Sequence, residues 1–531
     1  MSHAVIPVPV RFDVGGGHEF ALRPGMAVGY ADPGVASTVD RFCAEVARRT
    51  GVRVAPMPGG PGPGGPSVSI ELVAGDALGV LPAALGVSPA AGSAVGGAPD
   101  ERHSLAIDGD RVVVRAVEPA GVARGLTTLI QLLAAAPDSG AGEARLPGAR
   151  ILDAPRYAWR GLSLDLARAF FTLDEVRRVI DLLALYKLNV LHLHLTDDES
   201  WRLPVGRPAG RSEPDGTFYS AGDLRALAAY AADHFVTVVP EVDTPGHTAA
   251  FMQLHPELRS GRNEVEFELP PGHTHRAVWL DPDLPATFPL VEGVLAGVAE
   301  IFPSPYIHIG GDEPRGMPYD RYASYVPRVR DFVRSLGRRP LGWQESARAG
   351  LGADDIIQYW FSGIALPASL PLEVRAEMDA DRALSRRDVE TAVAASVPVI
   401  VSPMSHCYLD VPYAEPSADP AQADRQGRLG LRVYAPKTVE ESFGWEPAEA
   451  LGAGRAAQVA GVEAAIWAET ITGFEDLSFL LLPRLPGVAH RAWSGAQAAT
   501  WTGHRERLAR HGRLWAQDGL TYFRAATVDW L

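Results

Sequence analysis

From residue 158 to about 470, short apolar runs alternate with stretches of helical period, a rhythm that predicts strands and helices in turn. GLSLDLA (161–167) reads as a first strand. Thr172-Leu173-Asp174-Glu175 then carries a capping-box signature and opens a helix with Val176, Val179, Ile180 and Leu183 on one face. NVLHLHLT is a second strand, with Leu191, Leu193 and Leu195 on one side and Val190, His192 and His194 on the other. VTVVPEVD follows a helix around 221–233, and YIHIGGD follows one around 286–302. PLGW, DIIQYW, PVIVSP and VEAAIWA bring the strand candidates to eight, the number a closed (β/α)8 barrel requires. The fold class expected is α/β.

Residues 1–150 have a different texture and predict a separate, small α+β domain. TVDRFCAEVARRT is helical, SVSIELV alternates as a strand, and HSLAIDGDRVVVRA reads as two strands about an Asp-Gly turn. The amphipathic ARGLTTLIQLLAAA follows. Gly59 to Pro66 reads as a turn-rich loop and Pro137 to Leu152 as a linker. The expected division is a non-catalytic domain over 1–150, a barrel over 156–500, and a helical tail over 501–531 packing on the barrel.

Composition narrows the class only a little. The 531 residues are 47% hydrophobic and 21% charged, ordinary for a globular protein. A net charge of −15 argues against a phosphate-backbone partner, so no nucleic acid is expected and neutral or cationic ligands fit better. Two cysteines, Cys43 and Cys407, are too few for a disulfide framework or a cysteine-based zinc site; they read as buried thiols, with one bridge left open. No apolar stretch reaches the roughly 18 residues that span a bilayer. No secretory leader is visible, so the expected location is cytoplasmic, or secreted had a leader been removed. Oligomeric state is not legible.

Active sites of such barrels lie at the C-terminal ends of the strands, so the informative residues are those in which each strand ends. The second ends in Thr196-Asp197-Asp198-Glu199, the third in Asp243-Thr244-Pro245-Gly246-His247, the fourth in Asp312-Glu313, and the fifth in Trp343-Gln344-Glu345. The sixth ends at Trp360, the seventh leads to Tyr408-Leu409-Asp410, and the eighth carries Trp467 and Glu469. Indoles wall such a pocket and carboxylates floor it, which is the chemistry of sugar binding: rings stack on apolar C–H faces and acids accept from hydroxyls. Asp312 and Glu313 converge on one ligand only where the pleat breaks, and Gly310-Gly311 permits that break. One ionised carboxylate beside another raises its neighbour's pKa, so Glu313 is expected to stay protonated as a general acid.

Two other readings stand beside this one. His192 and His194 alternate on one strand face as paired ligands do in metal-dependent barrel hydrolases. Further histidines at the fifth and sixth strand ends would be needed, and those end in tryptophan, so an inward barrel layer supporting Asp243 or Asp312 is the better account. A sugar-binding protein without catalysis is the second alternative, and it predicts substitution at Asp312, Glu313 or Tyr408, all of which are present.

RGLSLDLARAFF, ALYKLNVLHLHLTDD, VVPEVDTPGH, FPSPYIHIGGDE, GWQE and SPMSHCYLD, in this order, resemble glycoside hydrolase family 20, the β-N-acetylhexosaminidases, over about 156–495. The resemblance implies a retaining enzyme that removes terminal β-linked N-acetylglucosamine or N-acetylgalactosamine, the substrate's acetamido oxygen serving as nucleophile. The implied partner is a small-molecule substrate, an N-acetylhexosamine-terminated oligosaccharide or glycoconjugate, with no cofactor and no metal. By the same resemblance Glu313 protonates the leaving oxygen, Asp312 orients the acetamido N–H, and Tyr408 donates to the acetamido oxygen. Trp343, Trp360 and Trp467 line the sugar and acetamido pocket. Asp410 and Glu469 bind hydroxyls, Arg160 holds the far edge of the ring, and Asp243, His247 and Asp197 tune Glu313. Glu199 stands where the family often has Gln, and Gly261–His275 and Gly427–Trp445 depart from its usual pattern.

Overall fold

A computed structural model of the chain describes residues 4–15, 18–60, 67–80, 89, 99–136, 142–210, 217–269, 273–363, 372–495 and 500–531. Most of the Gly59–Pro66 loop, the start of the Pro137–Leu152 segment and part of Gly261–His275 lie outside the described residues. Eight parallel strands close into a barrel in chain order. They are β1 (Trp159–Asp165), β2 (Val190–His194), β3 (Thr237–Glu241), β4 (Tyr306–His308), β5 (Arg339–Trp343), β6 (Ile356–Tyr359), β7 (Val399–Val401) and β8 (Val459–Ile466). Each coincides with one of the eight apolar runs. These strands are covered on both faces, so they read as apolar runs rather than alternations. The helix after β1, Leu173–Leu185, opens on the expected capping box: Thr172 Oγ1 accepts from Glu175 N, and the Glu175 carboxylate accepts from Thr172 N.

The N-terminal domain is a seven-stranded mixed sheet, in the order 11–14, 149–153, 103–108, 111–116, 67–72, 27–30 and 55–58. Helices Ala36–Thr50 and Pro119–Ala134 pack against it. The linker expected over Pro137–Leu152 gives way to structure. Ala144–Leu146 pairs with Phe20–Leu22, and Ala149–Asp153 enters the sheet between two other strands. The tail helix Trp501–Gln517 is tied to the barrel, Trp515 Nε1 donating to Tyr186 Oη at 2.7 Å. Cys43 and Cys407 are both buried free thiols. No described helix is long and apolar enough to cross a membrane.

Candidate active site

The barrel interior carries charge where an apolar plug is usual. Glu241 on β3 and Glu463 on β8 point inward, and histidines and indoles gather on them. Trp343 Nε1 donates to Glu241 Oε1 at 2.8 Å, and His308 Nδ1 lies 2.9 Å from the same oxygen. His192 Nδ1 sits 2.9 Å from Glu463 Oε1, which also accepts from Gln358; Trp159 Nε1 donates to Glu463 Oε2 at 2.7 Å. His194 bridges upward, with Nδ1 2.6 Å from Glu241 Oε2 and Nε2 2.7 Å from Asp197 Oδ2. Both of its ring nitrogens face carboxylates. Burial alone would keep these two rings neutral, but Glu241 together with Glu463 raises His192 to about 9, and Glu241 together with Asp197 raises His194 well above its ordinary value. His192 and His194 therefore contact Glu241, Glu463 and Asp197 directly, while His194 bears on the expected Asp243 and Asp312 only through its charge, which opposes the rise of both.

From Asp197 the network reaches the mouth of the barrel. Its Oδ1 lies 3.1 Å from His247 Nδ1, and His247 Nε2 lies 3.8 Å from Asp312 Oδ2 and 4.0 Å from Glu313 Oε2. The two carboxylates thus converge on one imidazole. β4 ends at His308, after which Gly310 (φ +69°), Gly311 (φ +100°) and Glu313 (φ +40°) take left-handed conformations, and both acids face His247. His247 is left-handed as well (φ +52°), so strain is concentrated at this mouth. Asp243 Oδ1 accepts from Gly311 N at 3.2 Å and packs so closely on Gly310 that a Cβ there would overlap it. Gly310→Ala is accordingly expected to lower stability by about 3 kcal/mol or more, read as a lower denaturant midpoint at unchanged slope.

The proton sits differently in this pair from the sequence expectation. Burial, with Glu241 and Glu313 adding to it, raises Asp312 to about 6. Burial pushes Glu313 up too, but Arg315 and then His247 outweigh it and hold Glu313 below the usual carboxylate range. Arg315 Nη2 reaches Glu313 Oε1 at 2.9 Å on the rim, where the side chains are 40% and 35% exposed, so solvent screens this pair. In the free protein Asp312, not Glu313, holds the proton more readily.

An aromatic box adjoins the pair. Trp343, Trp360, Phe361, Met404, Tyr408 and Val411 form one buried cluster, with Trp467 and Tyr434 packed against it. Trp360 lies parallel to Tyr408 (6.1 Å, 7°), Tyr408 meets Trp467 edge-on (5.9 Å, 66°), and Trp343 is 6.1 Å from Trp467. Asp410, which follows Tyr408 by two residues, is buried, and neither carboxylate oxygen has a protein hydrogen-bond partner. Asp312 Oδ1 is also unpartnered. Buried acceptors without donors are costly unless a ligand supplies them.

Arg160 is elsewhere. It stands at the start of β1, on the opposite end of the barrel from the carboxylate pair, fully buried, with Nη2 2.7 Å from both oxygens of Glu101 and Nε donating to Lys187 O at 2.9 Å. It joins the two domains and touches no part of the pocket. The arginine at the mouth is Arg168, three residues beyond the end of β1. Its guanidinium reaches Asp165 (3.1 Å), Asp197 (2.7 Å), Glu199 and Glu469 (both 3.5 Å) and lies over Trp467. The rule that barrel sites gather at strand C-termini carried the signal for Arg168. Glu199 and Glu469 therefore share one cation, and Glu199 is raised to about 7, chiefly by burial. Tyr434 was also missed. It comes from Gly427–Trp445, where Leu431 N donates to Asp410 O at 2.9 Å, and its hydroxyl is raised by burial and then by Asp410, Glu469 and Glu313. The other departing segment forms a hairpin, Glu264–Leu269 with His273–Val278, whose Val265 packs near Gly316 beyond Glu313.

Comparison with known proteins agrees with this architecture. The model of glycosyl hydrolase family 20, catalytic domain, matches residues 157–322 and 317–496, and that of glycosyl hydrolase family 20, domain 2, matches 2–154. The chain is 36% identical over 442 residues to a β-N-acetylhexosaminidase of Cellulomonas fimi, covering 81% of this chain and 82% of that protein. The solved structure of the GH20 β-N-acetylhexosaminidase from Streptomyces coelicolor A3(2) is similar over 100% of this chain and 99% of that one, at 31% identity and a TM-score of 0.79. A mutant Streptomyces plicatus β-hexosaminidase in complex with product GlcNAc is similar at 30% identity and a TM-score of 0.80, covering 100% and 98% of the two chains. With the family matched across both domains, the chain belongs to glycosyl hydrolase family 20 and is a glycoside hydrolase of the β-N-acetylhexosaminidase group.

Proposed function

We propose that the enzyme removes terminal, non-reducing β-linked GlcNAc or GalNAc with retention, the substrate's acetamido oxygen acting as the nucleophile. The observation that carries this reading is the convergence of Asp312 and Glu313 on His247 beside an aromatic box. The relative from S. plicatus that holds product GlcNAc supports the same sugar. In the first half-reaction the acetamido oxygen bonds to C1, the C1–O bond to the aglycone breaks, and the leaving oxygen takes the proton of Glu313. In the second, water attacks C1, its proton returns to Glu313, and the C1–oxazoline oxygen bond breaks to restore the acetamide.

Asp312 accepts the acetamido N–H and, once ionised, faces the positive charge that develops on the oxazolinium ring. Its charge then raises Glu313, so binding moves the shared proton from Asp312 to the residue that must donate it. Tyr408 donates to the acetamido oxygen, Trp343, Trp360 and Trp467 bound the acetamido and sugar faces, and Asp410 and Glu469 accept from ring hydroxyls. Arg168 takes the hydroxyl-binding role first expected of Arg160. Asp197, His247 and Asp243 hold the pair in place.

The test is a panel of aryl β-glycosides with and without the 2-acetamido group, together with a thiazoline mimic of the cyclic intermediate. Cleavage should require the acetamide and the thiazoline should bind tightly. Plain glucosides cleaved at comparable rates would end the substrate-assisted reading. One observation favours a metal: His192, Glu241 and His308, and also His194, Glu241 and Asp243, place ligand atoms within 4.8 Å of one another. Against it, His192 Nδ1 and both ring nitrogens of His194 already lie within hydrogen-bond distance of carboxylates. EDTA is expected to leave the rate unchanged, whereas inactivation reversed by zinc would put the metal reading in its place.

A further inference from the structure

The turn after β5 holds a carboxyl group that the proposed reaction leaves unused. Glu345 is 8% exposed, and its two oxygens share one donor, the Trp360 indole Nε1–H, at 3.2 Å each. A single shared N–H compensates poorly for a buried carboxylate, which offers about four acceptor sites. Burial, and next the charge of Asp312, lift its pKa well above the ordinary range; Arg348 opposes this rise and Asp388 adds to it. Tyr322 also faces it from the helix after β4.

The rest of Trp360 is fixed without Glu345. Gln344 Oε1 accepts from the backbone N–H of Trp360 at 2.9 Å and of Phe361 at 3.0 Å, and Met404 N donates to Trp360 O at 2.8 Å. The orientation of the indole about its side-chain torsions is set by packing against Phe361 and Tyr408 and by its one ring hydrogen bond. Only Glu345 bonds the ring nitrogen among the described residues. The plane so held lies parallel to Tyr408, the two rings facing each other across the buried aromatic cluster.

We propose that Glu345 is a positioning residue that sets the width of the acetamido pocket: by pinning the Trp360 indole it fixes the wall opposite Tyr408, and with it the largest N-acyl group the site accepts. The inference rests on the substrate-assisted reading above. A protonated carboxyl serves the task best, because it offers an acceptor oxygen without placing a second negative charge beside Asp312. Glutamine has the same shape, an acceptor oxygen and no charge, so it should substitute. Leucine has similar bulk and no acceptor, so it should not.

The experiment measures kcat and KM for aryl β-glucosides bearing 2-acetamido, 2-butyramido or 2-hydroxyl groups. The wild-type enzyme is expected to prefer acetyl over butyryl by about 100-fold, the scale of one or two methylenes in a closed apolar pocket. Glu345→Leu should shrink that ratio at least about tenfold, losing rate on the acetamide while gaining on the butyramide. Glu345→Gln should keep both the ratio and the pH profile. In a Trp360→Phe background Glu345→Leu should change nothing further, because the bond is already gone. Should the leucine variant fail to fold, Glu345→Asp, which withdraws the acceptor by one methylene, must still lower the ratio. A role in general stability would depress both substrates equally, so an unchanged ratio in the Leu or Asp variant overturns the proposal. Wild-type cleavage of the 2-hydroxyl substrate at a comparable rate would instead overturn substrate assistance, and the two failures are distinct.

Discussion

Glu313→Gln is expected to lower kcat by about 10²–10⁴-fold on a substrate with a poor leaving group, with little change in KM. Glutamine occupies the same volume at the left-handed turn after Gly311, so the fold should persist. The amide can neither protonate a glycosidic oxygen nor take the proton of the water that opens the oxazolinium ring. The effect should therefore depend on the aglycone: largest for chitobiose, smaller for nitrophenyl, and smallest for dinitrophenyl, whose oxygen leaves without help. The alkaline limb of the pH profile should vanish with the acid that produces it. A variant whose kcat/KM is equally impaired on all three leaving groups would show that Glu313 does not donate the proton in the bond-breaking step.

Asp312→Asn is expected to lower kcat by about 10²–10³-fold, again with a smaller effect on KM, because the carboxylate's interaction grows as positive charge develops. The wild-type rate should fall as pH drops through about 6, where Asp312 gains its proton, and the variant should lack this limb. Stability should run the other way. A carboxyl raised from 3.8 to about 6 by burial favours the fold below about pH 4, and this contribution is lost as pH rises through 6. At pH 8 the wild-type fold carries a buried charge that asparagine removes. The variant should therefore melt at a higher temperature at pH 8, with little difference at pH 4. A less stable variant at pH 8 would mean that the His247 contact outweighs the burial of Asp312.

The barrel was legible because parallel strands sheathed by helices are largely apolar on both faces, as Val399–Val401 and Val459–Ile466 are. The N-terminal sheet was legible only in its centre. Its edge strand Ala55–Pro58 holds two prolines, and Ala149–Asp153 follows a Pro-Gly pair, so both lack the local signs of a strand and owe their state to neighbours. In the site, Asp312 and Glu313 could be read because one backbone turn delivers both. Glu241 and Glu463 could not, since each sits inside a strand whose apolar neighbours mask an inward carboxylate until the barrel closes. The division of the proton between Asp312 and Glu313 depends on Arg315 and His247, one of them distant in the chain, and no local pattern specifies it.

The cluster of Arg160, Arg124 and Glu101 at the foot of the barrel has a consequence for anyone wishing to trim the protein. Glu101 comes from the first domain and balances a guanidinium rooted in the second, while Lys187 reaches from the barrel to Asp153 at 2.7 Å. A catalytic fragment beginning at residue 156 would remove both carboxylates and uncover the end of the barrel that they close, leaving Arg160 and Lys187 without counter-charges. The leading domain is expected to serve as a structural dowel without which the catalytic half should not stand alone.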